Sequence, residues 1–377
     1  MPLVVEIRRR LHSNPELGFA EYQTSAVVRQ YLVELELDVR VPGDKTGAIA
    51  LLTGGKPGPV IGLRADIDAL PIQEATRLPF ESRNPGVMHA CGHDGHMAML
   101  LGTAMVLREL TQEVPGTVAF IFQPAEELLK GAKMMIEGHI LEYAPFNFIY
   151  AFHLWPALPL GHVGVKPGVA MASAAKFRAS FSGSGGHGAN PHLASDAVVA
   201  AANWITLLQN IVSRKVDPTE PAVVSVGRIE GGSSYNTIAR SVAVEGTVRT
   251  VSPRTRERMP QWLEELLESV ASPAGLSYEL HYEELCPPLM NDPQQSELVL
   301  RLAENLFGPE RVHQLTQPSM VAEDFAYFLE QAPGCMIFLG IGEPERANAL
   351  HTDTFTFDEE VLFQGIKLMV SLVLSKG

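Results

Sequence analysis

The sequence has few cysteines, no long apolar run and no excess of basic charge. Cys91, Cys286 and Cys335 are the only cysteines among 377 residues, and their odd number and wide spacing imply no disulfide framework. The 43 acidic and 29 basic residues give a net charge of −14, which argues against nucleic acid or an anionic membrane as the main partner. No segment resembles a transmembrane span or a signal peptide. We therefore expect a cytoplasmic protein without a membrane or nucleic-acid partner.

What is present is the composition of an ordinary globular chain with roughly two domains. Hydrophobic residues make up 46% of the chain and charged residues 19%, which is typical of a folded protein rather than a disordered one. Histidine is comparatively frequent, with 12 residues, and several histidines stand beside Asp, Glu or Cys. We expect the functional site among those histidines.

The first third of the chain alternates short apolar strands with helical patterns, which predicts an α/β domain with a mostly parallel sheet. Residues 117–122 and 148–152 are continuous apolar runs of the kind that is buried on both faces of a parallel sheet. A helix is predicted between them, over residues 128–141. Residues 336–341 repeat the strand pattern near the end of the chain.

Residues 175–285 show a different order of elements, namely strand, helix, strand, strand, helix, strand. This order is the split βαβ pattern of ferredoxin-like α+β domains. We therefore predict a larger domain of residues 1–174 and 286–377, into which a smaller domain of residues 175–285 is inserted. The glycine-rich run 183–188 matches a dinucleotide-binding pattern by count, but Pro191 and other residues separate it from the next helix. A flexible loop is the better interpretation.

Acidic residues and histidines follow four predicted strands of the larger domain. They are Asp66 and Asp68, Glu126 and Glu127, His153, and, after a loop, His351. Because ligands of open α/β sheets bind outside the carboxyl ends of the strands, four such ends indicate one shared site.

The hexapeptide CGHDGH, residues 91–96, stands immediately before a helical pattern. Cys91 and His93 can both reach one metal ion from that position, and thiolate and imidazole suit zinc and related transition metals. The alternative is a glycine-rich helix start capped by Asp94, with Cys91 as a small buried residue. His96 lies farther into the helix, where a supporting or core position suits it better.

Glu126 and Glu127 fit a metal site if one carboxylate binds the metal and the other accepts a proton from water. The alternative is a solvated acidic pair. The sequence contains no Gly-x-Ser-x-Gly elbow, Walker loop or His-Glu-x-x-His motif, so other enzyme templates fit less well.

Together these motifs resemble the di-metal family of aminoacylases, hippurate hydrolases, carboxypeptidase G and indole-acetyl-amino-acid hydrolases, in its branch with a cysteine ligand. The resemblance implies an α/β, mostly parallel-sheet, di-metal exopeptidase-like catalytic domain with an inserted ferredoxin-like α+β lid domain. It runs nearly from end to end and depends on residues 9–12, 14–17, 63–71, 88–94, 123–127, 187–192, 323–325 and 350–352.

The resemblance also implies the roles of individual residues. Two divalent ions (Mn, Zn, Co or Ni) would be bound by Cys91, His93, Glu127, His153 and His351, with Cys91 bridging them. The remaining roles would be those of Glu126 as general base, Asp68 as support of the metal site, His187 as oxyanion donor, and Asn236 and Arg249 as partners of the substrate carboxylate. Asp66 stands where other branches have a histidine ligand, and we do not expect it to bind metal here.

The reaction that the resemblance implies is hydrolysis of an N-acyl amino acid, such as an N-acetyl or N-benzoyl derivative, by water that the metal ions activate. Arg249 favours this substrate because a guanidinium binds a free carboxylate through two hydrogen bonds. Met171 or Phe325 would line the acyl pocket. Two alternatives stay open, a dipeptidase or aminopeptidase of the same family and an inactive metal-binding scaffold.

The family likeness further implies a homodimer or higher homo-oligomer formed through the lid domain. The lid would close on the glycines around His187. The sequence departs from the family after Asn236. At the position of Ala239 the family usually has a proline. The missing proline predicts a less rigid loop.

Overall fold

The alternating apolar patterns form ten α-helices and sixteen β-strands in the part of the chain that the structure describes. The structure is a computed structural model, and it describes residues 2–42, 46–342 and 349–377. The helices are α1 Pro2–His12, α2 Tyr22–Glu34, α3 His93–Glu109, α4 Gly131–Glu137, α5 Ile140–Tyr143, α6 Ala197–Asn210, α7 Pro253–Ala271, α8 Pro293–Phe307, α9 Ala326–Leu329 and α10 Val361–Leu374. The strands are β1 Asp38–Arg40, β2 Ala48–Thr53, β3 Lys56–Asp66, β4 Pro115–Gln123, β5 Phe148–Pro159, β6 Val163–Val165, β7 Gly168–Met171, β8 Ser173–Ser182, β9 Gly186–His187, β10 Ala222–Gly231, β11 Thr237–Ile238, β12 Ser241–Thr250, β13 Ser277–Cys286, β14 Leu289–Asn291, β15 Val312–Gln314 and β16 Gly334–Gly342.

The chain divides into two units. The first comprises Met1–Ala170, Leu289–Gln317 and Asp324–Gly377, and the second comprises Met171–Pro288 and Pro318–Glu323. None of the helices in the described ranges is long and apolar enough to cross a membrane.

The first unit contains an eight-stranded sheet in the order β1-β2-β4-β3-β5-β16-β6-β15. Its four central strands, β4, β3, β5 and β16, run parallel to one another. Antiparallel pairs occur nearer the edges, between β1 and β2, β2 and β4, and β16 and β6. The predicted fold class, α/β with a mostly parallel sheet, is confirmed. The carboxyl ends of the four central strands therefore meet at one edge of the sheet.

Helix α3 is buried over most of its length. Its residues from His93 to Ala104 are all buried, because the sheet lies on one side and α1 and α10 pack against the others. A helix that is apolar on all faces is typical of a position inside the core. Its first turn is consequently fixed in position by packing.

Two details of the predicted elements are wrong. The predicted helix over 128–141 begins only at Gly131 and is interrupted at His139, because Leu129 and His139 have left-handed backbone angles, with φ of 53° and 63°. The predicted strand 148–152 continues to Pro159, because β16 pairs with it beyond Phe152. His153 therefore lies within β5, opposite Phe338, and not after the strand's end.

The second unit has a four-stranded antiparallel sheet in the order β10-β12-β8-β13. Along the chain its elements follow the order β8-α6-β10-β12-α7-β13, which is the order predicted from the sequence. Phe177 and Phe181 of β8 pack against Trp204 of α6, and Leu263 of α7 joins the same core. The two helices thus cover one face of this sheet.

Candidate metal centre

Glu126 and Glu127 lie on a tight turn that follows β4. Ala125 has a φ of +53°, a left-handed conformation that costs a non-glycine residue about 1–2 kcal/mol. Two buried carboxylates hold this backbone, since Glu21 Oε1 accepts the N–H of Ala125 at 2.8 Å and Asp68 Oδ2 accepts the N–H of Glu127 at 2.9 Å. The directions of both glutamate side chains are therefore set by hydrogen bonds from outside the turn.

His93 is the first residue of α3 and is 1% exposed. Its Nδ1 donates to the backbone oxygen of Asp68 at 2.9 Å, which directs Nε2 into the cluster as the nitrogen that a metal ion can bind. That Nε2 atom is buried without a hydrogen-bond partner among the described residues, and it lies 3.8 Å from Glu127 Oε1. Asp68 thus supports both the turn that carries Glu127 and the ring of His93.

Cys91 and His153 face each other, with 3.6 Å between Sγ and Nε2. His153 Nδ1 donates to the backbone oxygen of Leu154 at 2.8 Å. Burial lowers the pKa of His153 to about 3, so the ring is neutral and its Nε2 presents a lone pair toward the thiol. Burial and the charge of Glu127 both raise the pKa of the Cys91 thiol. A bound cation would offset both effects and favour the thiolate.

His351 lies on the exposed side of the cluster, with 49% of its side chain accessible. Its Nε2 is 3.4 Å from Glu127 Oε1. The neighbouring Cys91 and Glu127 groups raise the pKa of His351 to about 10. Its backbone has a φ of +62° and its N–H donates to Ala90 at 2.8 Å, so the chain is held next to the Cys91 segment. The cluster is consequently buried on one side and accessible on the other.

The five predicted ligands form two groups that share Cys91. One consists of Cys91, His93 and His153 and the other of Cys91, Glu127 and His351, and within each group the ligand atoms lie within 4.8 Å of one another. Two buried atoms of the cluster, His93 Nε2 and Glu127 Oε1, have no hydrogen-bond partner among the described residues. Buried polar atoms normally have partners. Thiolate, imidazole and carboxylate ligands therefore fit two divalent transition-metal ions here.

Asp66, His93 and His96 form a further group with equally close atoms. In this group His96 uses both nitrogens, because Nδ1 donates to Asp66 Oδ1 at 2.7 Å and Nε2 accepts the N–H of Leu154 at 3.0 Å. Burial alone would raise the pKa of Asp66, but His93, His96 and Arg64 hold it well below its usual range. His96 and Asp66 are thus engaged in supporting the site.

The N-terminal helix α1 makes contacts with the start of α3 that were not predicted from the sequence. Asp94 does not cap α3, as the alternative interpretation expected, because its Oδ2 pairs with Arg8 Nε at 2.6 Å and His12 Nδ1 at 2.9 Å. Arg8 and His12 are buried. The motif of residues 9–12, quoted only for the family resemblance, was the available signal for this contact.

In the second unit the structure brings His187 and Asn236 together. Strand β9 pairs His187 with Thr237 of β11, and the N–H of Gly188 donates to the backbone oxygen of Asn236 at 2.8 Å. Both residues are exposed. Arg249 lies elsewhere in the unit, on β12 opposite Ala174 and Val223.

The residues named for the acyl pocket are not accessible in this structure. Met171 is 1% exposed and Phe325 is 0% exposed. Phe325 packs against Phe328 and lies near the guanidinium of Arg64. Neither side chain presents surface to a ligand in this conformation.

Comparisons with known proteins identify the class. Residues 62–375 match Peptidase family M20/M25/M40. The chain is 41% identical over 360 residues to an N-acetylcysteine deacetylase of Bacillus subtilis, covering 95% of this chain and 93% of that protein. It is 37% identical over 374 residues to an N-acetyldiaminopimelate deacetylase of Geobacillus, covering 99% of this chain and 98% of that protein.

A solved structure gives the same result. The YXEP protein of Bacillus subtilis, described as a dinuclear metal binding peptidase from the M20 family, superposes with a TM-score of 0.86 and 36% identity over 99% of this chain and 97% of that one. The chain therefore belongs to peptidase family M20/M25/M40. It is a hydrolase of the amidohydrolase type, and the resemblance inferred from its motifs is confirmed.

Proposed function

We propose that this enzyme hydrolyses the amide bond of N-acyl amino acids to a carboxylic acid and a free amino acid. The observation that carries the proposal is the pair of ligand groups sharing Cys91, with Glu126 next to Glu127 on the same turn. The names of two relatives, deacetylases of acetylated cysteine and acetylated diaminopimelate, support a small N-acylated amino acid as the substrate.

The metal ions would be held by Cys91, His93, Glu127, His153 and His351, and Mn, Zn, Co and Ni all suit these ligands. When bound, two divalent ions supply a Lewis acid for the amide carbonyl and lower the pKa of water.

Glu126 is the residue we assign as general base. It is 6% exposed, and its carboxylate belongs to a group with His93 and Glu127. A carboxylate at that position accepts a proton from the attacking water and returns it to the nitrogen of the leaving amine. Asp68 holds the neighbouring backbone in place through the N–H of Glu127.

The second unit supplies the substrate contacts in this proposal. His187 donates a hydrogen bond to the oxyanion, and Asn236 and Arg249 bind the substrate carboxylate. The exposure of His187 and Asn236 suits residues that meet a substrate from solvent. We assign residues 175–285 as a lid domain on these grounds.

We also propose that the lid domain forms a homodimer. Its sheet ends in two edge strands, β10 and β13. Edge strands expose unpaired backbone groups that a second copy can pair with.

The test is a hydrolysis panel after loading the purified protein with Mn, Zn, Co or Ni in turn. N-acetyl and N-benzoyl amino acids should be turned over, and the same compounds with an amidated carboxyl group should not. Faster hydrolysis of unblocked dipeptides would support the peptidase alternative. A protein that binds no metal and turns over no substrate would support the scaffold alternative.

A further inference from the structure

Glu21 is a fully buried acidic residue without a role in the mechanism above. It occupies the N-cap position of α2, but its side chain does not cap that helix. Glu16 does so instead, because its Oε2 accepts the N–H of Thr24 at 2.8 Å and its Oε1 accepts the N–H of Gln23 at 3.2 Å. Helix α2 therefore does not need the carboxyl group of Glu21.

The side chain of Glu21 reaches a different part of the chain. Its Oε1 accepts the N–H of Ala125, 104 residues away in sequence, at 2.8 Å. Ala125 is the left-handed residue immediately before Glu126. Two residues farther on, Asp68 accepts the N–H of Glu127. The Pro124–Ala125 and Glu126–Glu127 peptides, one before and one after the segment Ala125–Glu126, are thus held by buried carboxyl groups from two separate segments.

The backbone near Glu21 lies directly against the same turn. A Cβ atom at Gly18 would come within 3.2 Å of Ala125 Cα and 3.0 Å of the side chain of Leu128. Burying a carboxyl group is unfavourable unless its hydrogen bonds compensate, and burial raises the pKa of Glu21. A buried carboxyl group is therefore expected where the fold needs a hydrogen-bond acceptor at one defined place.

We propose that Glu21 is a positioning residue of the metal centre, which holds the Ala125 peptide and thereby orients the Glu126 and Glu127 carboxylates. This inference rests on the proposed function, because it takes Glu126 as the base and Glu127 as a ligand. The property that matters is a hydrogen-bond acceptor at the reach of a glutamate side chain. The negative charge of the carboxylate is not required.

Two conservative variants separate these properties. Glu21→Gln keeps an acceptor oxygen at the same reach without a carboxylate, whereas Glu21→Asp keeps the carboxylate but is one methylene too short. Outer hydrogen-bond partners of metal ligands typically contribute about 10- to 100-fold in metal affinity or activity. We expect Glu21→Asp to lower both cobalt(II) affinity and kcat within that range, with little change in KM. Glu21→Gln should stay within about threefold of the unaltered enzyme in all three quantities.

The control is Glu16→Ala, which removes the side-chain cap of the same helix. It should lower the midpoint of thermal unfolding and leave cobalt(II) affinity and the thiolate-to-cobalt absorption band unchanged. The measurements are cobalt titration against a chelator, the visible spectrum of the cobalt form, and kcat and KM for an N-acetyl amino acid.

Three results would overturn the proposal. These are unchanged cobalt affinity in Glu21→Asp, a loss in Glu21→Gln as large as in Glu21→Asp, and a loss in Glu16→Ala of the same size. Cobalt binding needs no substrate, so it decides the role of Glu21 even if the enzyme hydrolyses none of the N-acyl amino acids. That last outcome would count against the proposed function alone.

Discussion

The two units hold their candidate functional residues in different ways. In the first unit Cys91, His93 and His153 are buried and fixed by packing and hydrogen bonds. In the second, His187 and Asn236 are exposed and belong to a short pair of two-residue strands. A metal centre needs ligands held in place before the metal arrives, whereas substrate contacts have to remain accessible. Variants of the candidate ligands in the first unit should therefore affect metal binding, whereas variants of the substrate contacts in the second unit should leave metal content unchanged.

The largest effect is expected from Cys91→Ser. Cys91 belongs to both ligand groups, so its loss weakens both metal positions. Transition-state stabilisation by a metal is worth several kcal/mol, and 1.36 kcal/mol corresponds to tenfold in rate, so hydrolysis should fall about a thousandfold or more. Metal analysis together with kcat/KM checks this. Cys335→Ser is the matched control, because Cys335 is also buried, in β16, but contacts Ser296 and none of the candidate ligands. Two tightly bound metals in Cys91→Ser would contradict the assignment.

The adjacent residues Glu126 and Glu127 lie on one turn, and their variants should differ in metal content. Glu126→Gln should lower kcat by about 100- to 10,000-fold, the range typical of a lost general base, and should keep its metals. Glu127→Gln should lose metal as well as activity, because Glu127 Oε1 lies near both His93 Nε2 and His351 Nε2. Metal content measured beside single-turnover rates distinguishes them. A Glu126→Gln protein with its metals and its full rate would remove Glu126 from the mechanism.

The candidate metal ligands and Asp68 were within reach of sequence reasoning, and Glu21 was not. Asp68 and Glu127 could be grouped because residues that follow the strands of a parallel sheet meet at one edge, and Cys91 could be placed with His93 through their spacing before a helix. Glu21 could not, since a hydrogen bond to a backbone N–H 104 residues away leaves no periodic pattern. The helix predicted from residue 128 failed for a related reason. Leu129 adopts a left-handed angle within a turn whose backbone hydrogen bonds run to Ala125 and Glu126, and the helical spacing of apolar residues does not reveal that turn.

A smaller effect is expected in the second unit, from Arg249→Lys. Lysine keeps the charge but loses the two-pronged hydrogen bonding of a guanidinium with a carboxylate. KM should rise about tenfold, which corresponds to the roughly 1.5 kcal/mol of a hydrogen bond to a charged group. Metal content should stay unchanged. Arg256→Lys, which alters an arginine paired with Glu284 in the same unit, should leave KM unaffected. Loss of metal in Arg249→Lys would contradict the assignment of metal binding to the first unit and substrate contacts to the second.

The smallest effect is expected from Ala239→Pro, which introduces the proline that the family usually has in the loop after Asn236. Ile238 is a strand residue, and extended backbone is the conformation that a following proline requires. A compatible proline restricts the unfolded chain and stabilises the fold by about 0.5 kcal/mol. Because the same restriction limits the motion of Asn236, KM should fall about twofold while kcat and metal content stay constant. Calorimetry and steady-state kinetics measure both changes. An increase in KM would mean that this chain needs the mobility of its loop, and the exposed position of Asn236 would then be a requirement for substrate entry.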